Sequence, residues 1–386
     1  MIAKMNTSRK IALSTIFLSM FLMAMSVAIK GVIVPHWRME FGVDNQTVSW
    51  VFTAEIIPFL IASYFGNNIL DKFKIKRTIL ISLTILVVSL LYIPLTTSFL
   101  QLLIGMMGVG IGSALIGLTV NLSVGLFKST KPALLMTLVH FSFGMGAAVV
   151  QAVSGRLLSL NYSWRLFYSV LGIVGLLITI LVTFADYPKL KVNKSKGKKI
   201  RDKHLLVLLV FILGFYLVGE IGISNWFVNF AVDGYNTSSA YAATFLSLFF
   251  IIFTMGRLVG GFVLEKIEYL KAVFYAGISS ALIIFFMLFL GERYLILASL
   301  SGILQALIYP ALILVVAQLS RENSKIMSIF ITGGYSIYIL INYLIGTLND
   351  KIGVVVAFVV IPIALILCGI LAIAARKLFK EERDGY

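Results

Sequence analysis

The chain has 386 residues, 60% of them hydrophobic and 12% charged, with a mean hydropathy of +1.02. Soluble globular domains carry about 25% charged residues, so this chain has too little charge to cover a water-facing surface, and lipid is the solvent for most of it. The net charge of +16 does not indicate nucleic acid, because Lys and Arg fall in short segments between apolar runs, as in membrane topology.

Apolar runs long enough to cross a bilayer, about 20 residues each, occupy approximately 11–34, 47–70, 78–96, 100–126, 133–157, 165–186, 205–232, 241–264, 271–290, 294–319, 326–347 and 353–375. They are continuous rather than alternating, which excludes barrel strands. The basic start and long apolar stretch carry no clear small-residue cleavage site, so the first run is read as a retained span rather than a signal peptide. The expected fold class is therefore all-α membrane protein with twelve transmembrane helices.

Most of the 32 Lys and Arg residues fall in the tails and in alternate connections. The other connections hold only Arg38, Arg165, Arg293 and Lys351. This bias predicts both termini in the cytoplasm and a multi-pass protein of the cell inner membrane. The basic segment 187–204 reads as a cytoplasmic linker between two six-span halves, 1–186 and 205–386. Its expected role is topology signal and tether, with contact to anionic lipid as the alternative. The single cysteine, Cys368, lies within an apolar run, so neither a disulfide framework nor a cysteine metal site is expected.

The two halves echo each other. Gly66-Asn-Asn-Ile-Leu-Asp71-Lys72 matches Gly260-Gly-Phe-Val-Leu-Glu265-Lys266, Ala114-Leu-Ile matches Ala306-Leu-Ile, and Phe41-Gly-Val-Asp44 matches Phe230-Ala-Val-Asp233. The matches fall in order and at corresponding places relative to the spans, which predicts two parallel repeats around a central cavity.

These features resemble the major facilitator superfamily. Gly66, Asp71, Lys72 and Arg77 look like its cytoplasmic signature after the second span, and Arg257 with Glu265 looks like the second copy. Gly105, Gly108, Gly110 and Gly112 resemble its glycine-rich fourth span, although Gln101 stands near where an arginine often opens that motif. The segments around His140 and from Gly219 to Phe230 are similar to the fucose–galactose–proton symporter branch. This chain departs from that branch in having no acid in the Ala28–Gly31 or Gly117–Asn121 stretches. The resemblance implies two pseudo-symmetric six-helix bundles, alternating access, and a cytoplasmic latch built from Gly66, Asp71, Lys72, Arg77, Arg257 and Glu265.

Ionisable groups inside a bilayer cost about 3 kcal/mol at the centre and are functional candidates. Lys30, Glu55, His140, Arg156, Glu220 and Arg257 qualify. Arg156 and Arg257 lie near span ends and read as structural. Lys30 lies fourteen residues before Asp44 and Glu220 thirteen before its repeat partner Asp233, so the two share a depth. Glu55 lies at a similar depth on the second span. A Lys30–Glu55/Glu220 cluster facing the cavity is expected, with His140 as a further titratable candidate; a self-neutralising salt bridge is the alternative. Asn121, Gln151, Asn225, Trp226, Asn229, Gln305, Tyr309 and Asn342 are candidate solute ligands, since amides and rings suit hydroxyl-rich molecules. Amides also serve as interhelical glue.

The functional expectation is a secondary transporter of a small polar solute, a sugar or sugar-like metabolite, coupled to protons and working as a monomer among membrane lipids. The alternatives are an exporter of an amphiphile or organic anion, and a lipid flippase. With no nucleotide loop, metal-ligand spacing or paired catalytic constellation, an enzyme is not expected, nor is a cofactor, metal or nucleic-acid partner.

Overall fold

The computed structural model describes residues 7–127, 132–187, 203–320 and 324–384. Its helices are α1 (Thr7–Ala28), α2 (Lys30–Phe41), α3 (Asn45–Tyr92), α4 (Phe99–Leu126), α5 (Pro132–Ser159), α6 (Trp164–Thr183), α7 (Lys203–Tyr235), α8 (Ser239–Leu264), α9 (Tyr269–Leu290), α10 (Ile296–Ser320), α11 (Ser324–Ile352), α12 (Val354–Phe358) and α13 (Val360–Asp384). Helices are the expected answer to lipid, where each backbone N–H and C=O must be satisfied within its own segment. Twelve stretches of these helices are long and apolar enough to span a membrane.

The boundaries depart from the apolar runs in instructive ways. The second and third spans are two helices that meet at a kink at Lys74 (φ 62°, ψ 169°), and they are numbered together as α3. That single residue turns the chain while its neighbours keep their hydrogen bonds; the Lys74 carbonyl accepts from Thr78 Oγ1 at 2.8 Å. The first span breaks at Ile29 between α1 and α2, and the twelfth breaks at Val359 between α12 and α13. The seventh is 33 residues long, about 50 Å, against a hydrocarbon core of about 30 Å. Gln101, noted in the sequence for standing where an arginine is common, closes a capping box with Ser98 at the start of α4.

The chain divides into two compact units, Met1–Val43 with Trp50–Asn193, and Asp44–Ser49 with Lys194–Tyr386. Residues 188–202, most of the expected linker, lie outside the described residues. In the first unit, α1 packs on α5, α6 and α4; in the second, α7 is flanked by α13, α11, α8 and α10. Arg165 staples the first unit at one end. It pairs with Glu40, donates to the carbonyls of Pro94 (3.0 Å) and Thr96 (2.8 Å), and lies over the Trp164 ring.

Close helix approach in the first unit runs through the glycines of α4. A Cβ on Gly110 would stand 2.0 Å from the Glu55 carbonyl oxygen, and one on Gly112 2.9 Å from the Leu86 nitrogen. Small residues permit such backbone contact, which supplies the dispersion that drives helix association in lipid. Gly117, one to two turns further along, has nothing within 4 Å of a Cβ. Gly110→Ala is therefore expected to cost about 1–3 kcal/mol by overpacking. Gly117→Ala should be neutral or stabilising by up to about 1 kcal/mol. Thermal unfolding of both purified variants in detergent checks the contrast.

Candidate functional site

Among the described residues, each unit carries a membrane-embedded ion pair. In the first, Lys30 follows the break at Ile29. There Val32 N–H turns to the Ile29 carbonyl (3.2 Å), and the freed Ala28 carbonyl accepts Gln151 Nε2–H at 2.5 Å. A side chain from α5 thus replaces the missing helical donor. The break sets Lys30 against Glu55 of α3 in direct ion-pair contact, with the ammonium 5.8 Å from the centre of the Phe52 ring. Both residues are buried, 3% and 4% exposed, and the close approach of Gly110 to the Glu55 backbone holds α3 there.

In the second unit, Glu220 sits midway along α7. Its Oε1 lies 3.5 Å from Arg257 Nη2 of α8, and its Oε2 accepts the Tyr216 hydroxyl. The Arg257 guanidinium stands over the Phe253 ring at 4.4 Å, an electrostatically favourable seat for a cation. Tyr309 of α10 approaches Tyr216 with ring centres 6.3 Å apart. Counted from one end of the bundle, these groups lie about 20–29 Å along their helices, so they share a level. Unlike the first pair, this one is partly accessible: the Arg257 and Glu220 side chains are 25% and 17% exposed.

Nearer the other connection, α7 and α11 are tied by a polar chain. Asn225 Nδ2 donates to the Tyr338 hydroxyl (2.7 Å), which donates to Asn342 Oδ1 (3.1 Å); the same oxygen accepts Trp226 Nε1–H at 2.8 Å. Asn229 Nδ2 donates to Asn45 Oδ1 (3.1 Å). Asp350 then accepts Asn45 N–H (3.0 Å), Asn45 Nδ2–H (2.7 Å) and Gln46 N–H (2.7 Å), all within the second unit. A carboxylate on the first N–H groups of α3 is a charge-assisted helix cap. Asp350 was not singled out in the sequence; the only signal was an acid facing a helix start across some 300 residues of chain.

The expected site residues therefore fall into groups. Lys30 and Glu55 meet, as their shared depth implied. The cation beside Glu220 is Arg257, which the sequence assigned to the cytoplasmic latch. Asn225, Trp226 and Asn342 tie α7 to α11, Asn229 bonds Asn45 of α3, and Gln151 bonds a backbone carbonyl. Gln305 is buried and donates to Ser301 Oγ at 3.0 Å. Tyr309 stands beside the Glu220–Arg257 pair, His140 is half-buried on α5, and Asn121 is exposed on α4.

Of the latch residues, Gly66 lets α3 approach Leu118. Lys72, Arg77 and Glu265 are exposed, and the Asp71 side chain lies outside the described residues. Lys76, between Lys72 and Arg77, donates to the Thr183 carbonyl at the end of α6 (2.7 Å), a contact the sequence did not suggest.

A family model described as Major Facilitator Superfamily matches residues 16–294. The chain belongs to the major facilitator superfamily. Among curated superfamily relatives, it is 22% identical over 344 residues to a "Protein TsgA homolog" of Buchnera aphidicola subsp. Acyrthosiphon pisum, covering 86% of this chain and 87% of that one. A "Protein TsgA homolog" of Yersinia pestis is 21% identical over 282 residues, 70% of each chain. Two solved structures share the fold closely. A D-xylose-proton symporter gives a TM-score of 0.76 at 12% identity, over 94% of this chain and 96% of that one. The transporter FucP in its outward conformation gives 0.64 at 14% identity, over 94% and 98%. The protein is thus an integral membrane protein with the twelve-span major facilitator fold, as its sequence resemblance implied.

Breaking one side of a buried ion pair strands a charge at a cost of about 3–5 kcal/mol, whereas removing both partners is often neutral. Lys30→Met alone should lower stability by that order, and Lys30→Met with Glu55→Met should recover most of the loss. Thermal unfolding of the two variants in one detergent checks it; equal losses would mean the pair does not act as a unit.

Proposed function

We propose that this superfamily member is a proton-coupled secondary transporter of a small polar solute, a sugar or sugar-like metabolite, working by alternating access in the cell inner membrane with both termini in the cytoplasm. The basic residues of the tails and alternate connections support the orientation. The likeness to sugar–proton symporters supports the solute class.

The coupling rests on Glu220. It is a carboxylate in the middle of a membrane helix, bonded by a tyrosine hydroxyl, loosely paired with a cation and partly accessible. Such a group binds a proton by giving up one ion-pair contact, and regains that contact when the proton leaves. Lys30–Glu55 is tightly paired and buried, which suits a structural role in holding the break in the first span. Two membrane charges with different exposure thus take different work.

The test is uptake in proteoliposomes under an imposed pH gradient, acid outside, with labelled D-xylose, fucose and glucuronate as probes, of which at least one is taken up. Wild-type protein should accumulate solute with the gradient. Glu220→Gln should fall to the level of protein-free vesicles while still exchanging solute in counterflow. Gradient-driven accumulation by Glu220→Gln at the wild-type rate would overturn the coupling role. Comparing right-side-out with inverted vesicles tests import against the efflux reading.

A further inference from the structure

We propose that Arg257 is the docking point for the carboxylate of a hydroxylated organic acid of single-ring size, a sugar acid, which replaces Glu220 as the counter-ion of the guanidinium. This deepens the proton-coupled reading and rests on it.

The guanidinium is under-used where it stands. Arginine carries five donors in a planar fork suited to two parallel bonds with a carboxylate. Here one Nη2 approaches one Glu220 oxygen at 3.5 Å, well beyond the usual charge-assisted distance of about 2.8 Å. The other Glu220 oxygen is taken by Tyr216, so the pair is not a fork-on-fork contact. Arg257 Nε is buried and has no hydrogen-bond acceptor among the described residues. The Phe253 ring lies 4.4 Å from the guanidinium, Tyr216 is a further hydrogen-bond partner of the side chain, and Nε is the donor left over. A buried, charged donor without an acceptor is costly, and an anion with two oxygens removes that cost.

There is room for one. Arg257 lines a cavity of about 280 Å³ walled by Gly260, Gly261, Ala306, Leu307 and Pro310 of α8 and α10. That is near the lower end of small-molecule pockets, about 300 Å³. Gly261 has nothing within 4 Å of where a Cβ would stand, so the wall beside the arginine is open. Beside Arg257 the lining carries Glu265 and Tyr269, and the rest of it is apolar, a pattern in which a few polar groups orient a small ligand.

Charge balance ties this site to the proton. At rest, Glu220 and Arg257 neutralise each other. Entry of a monoanion adds one negative charge, and a proton from water forming an O–H bond on the Glu220 carboxylate removes one. Arg257 keeps its charge throughout and exchanges one carboxylate partner for another. On release, the proton returns to water and the Glu220–Arg257 contact re-forms. One proton therefore accompanies one monoanion, and transport is electroneutral. A neutral sugar would leave Arg257 unpaired whenever Glu220 is protonated, a state the membrane interior disfavours. Among the described residues, the titratable and charged groups near Glu220 are Tyr216 on its own helix, Arg257 on α8, and Tyr309 and Tyr335 on α10 and α11 within electrostatic reach. The last span presents Leu365 and Ile361 to α7 at Gly219 and Gly222.

The experiment is equilibrium binding to the full-length protein in nanodiscs, with glucuronate, gluconate and, as neutral controls, glucuronamide and glucose. At least one of the two acids should bind about 10-fold or more tighter than the neutral compounds, and tighter in mildly acidic than in mildly alkaline buffer. Glu220→Gln should bind it with no such pH dependence. Arg257→Gln should lose binding, and Arg257→Lys, which keeps the charge but not the fork, should weaken it about 10-fold. Thermal unfolding confirms that each variant is folded, and Arg257→Lys carries the test if Arg257→Gln is not. Failure of both acids to bind, equal binding of acid and amide, or undiminished binding by the arginine variants overturns the proposal. The two readings fail separately. Acid binding without pH-gradient-driven uptake removes the proton coupling and leaves the anion site. Gradient-driven uptake of a neutral sugar with no acid binding removes the anion site and leaves the coupling.

Discussion

Hydrocarbon offers no solvation to an ionised side chain, so each charge placed in it must find its counter-charge on a neighbouring helix. Lys30 meets Glu55 between α2 and α3, and Glu220 meets Arg257 between α7 and α8. Each pair fixes which faces of two helices look inward, and the rest of the packing is arranged around it. In the first unit this reaches as far as the backbone. The break at Ile29 that presents Lys30 is held by Gln151, and the closeness of α4 to Glu55 requires a residue without a side chain at Gly110.

The two pairs differ in tightness, and that difference divides structure from work. A tight, buried pair has no easy exchange partner and serves as a fixed joint. A loose, partly accessible pair with an unused donor can trade one partner for another at small cost. The tyrosine on one Glu220 oxygen and the phenyl ring under Arg257 keep the two side chains in place while they are only weakly joined to each other. The polar bonds of α7 are of the first kind: Asn225 and Trp226 bond α11, Asn229 bonds Asn45 of α3, and each thus spends hydrogen-bonding capacity on protein, as polar residues at membrane-helix contacts commonly do.

Much of this was legible beforehand. The apolar runs located twelve spans because their length is set by the bilayer. The fourth-span glycines and the Gly66 segment pointed to the superfamily, and counting residues from span ends placed Lys30 and Glu55 at one level. What the sequence did not show shares a cause. The connection after the second span read as a loop because it is charged; in the structure two helices meet there at a kink at Lys74. Arg257 was assigned to a latch because it adjoins the repeated glycine segment, whereas in three dimensions it reaches back to Glu220. Asp350 passed unnoticed because nothing near it in sequence marks it as the cap of α3.

Composition and run length by themselves determined that the chain lives in lipid, how many times it crosses, and the height of each charged group along its helix, since each residue adds about 1.5 Å. They could not determine which way a side chain points around the helix axis. In a soluble helix the contrast between core and water reveals that direction; in lipid, the outer and inner faces are nearly equally apolar, and the contrast vanishes. Only the tertiary packing decided it. That is why the Lys30–Glu55 contact could be anticipated from depth, while the pairing of Glu220 with Arg257 required the fold.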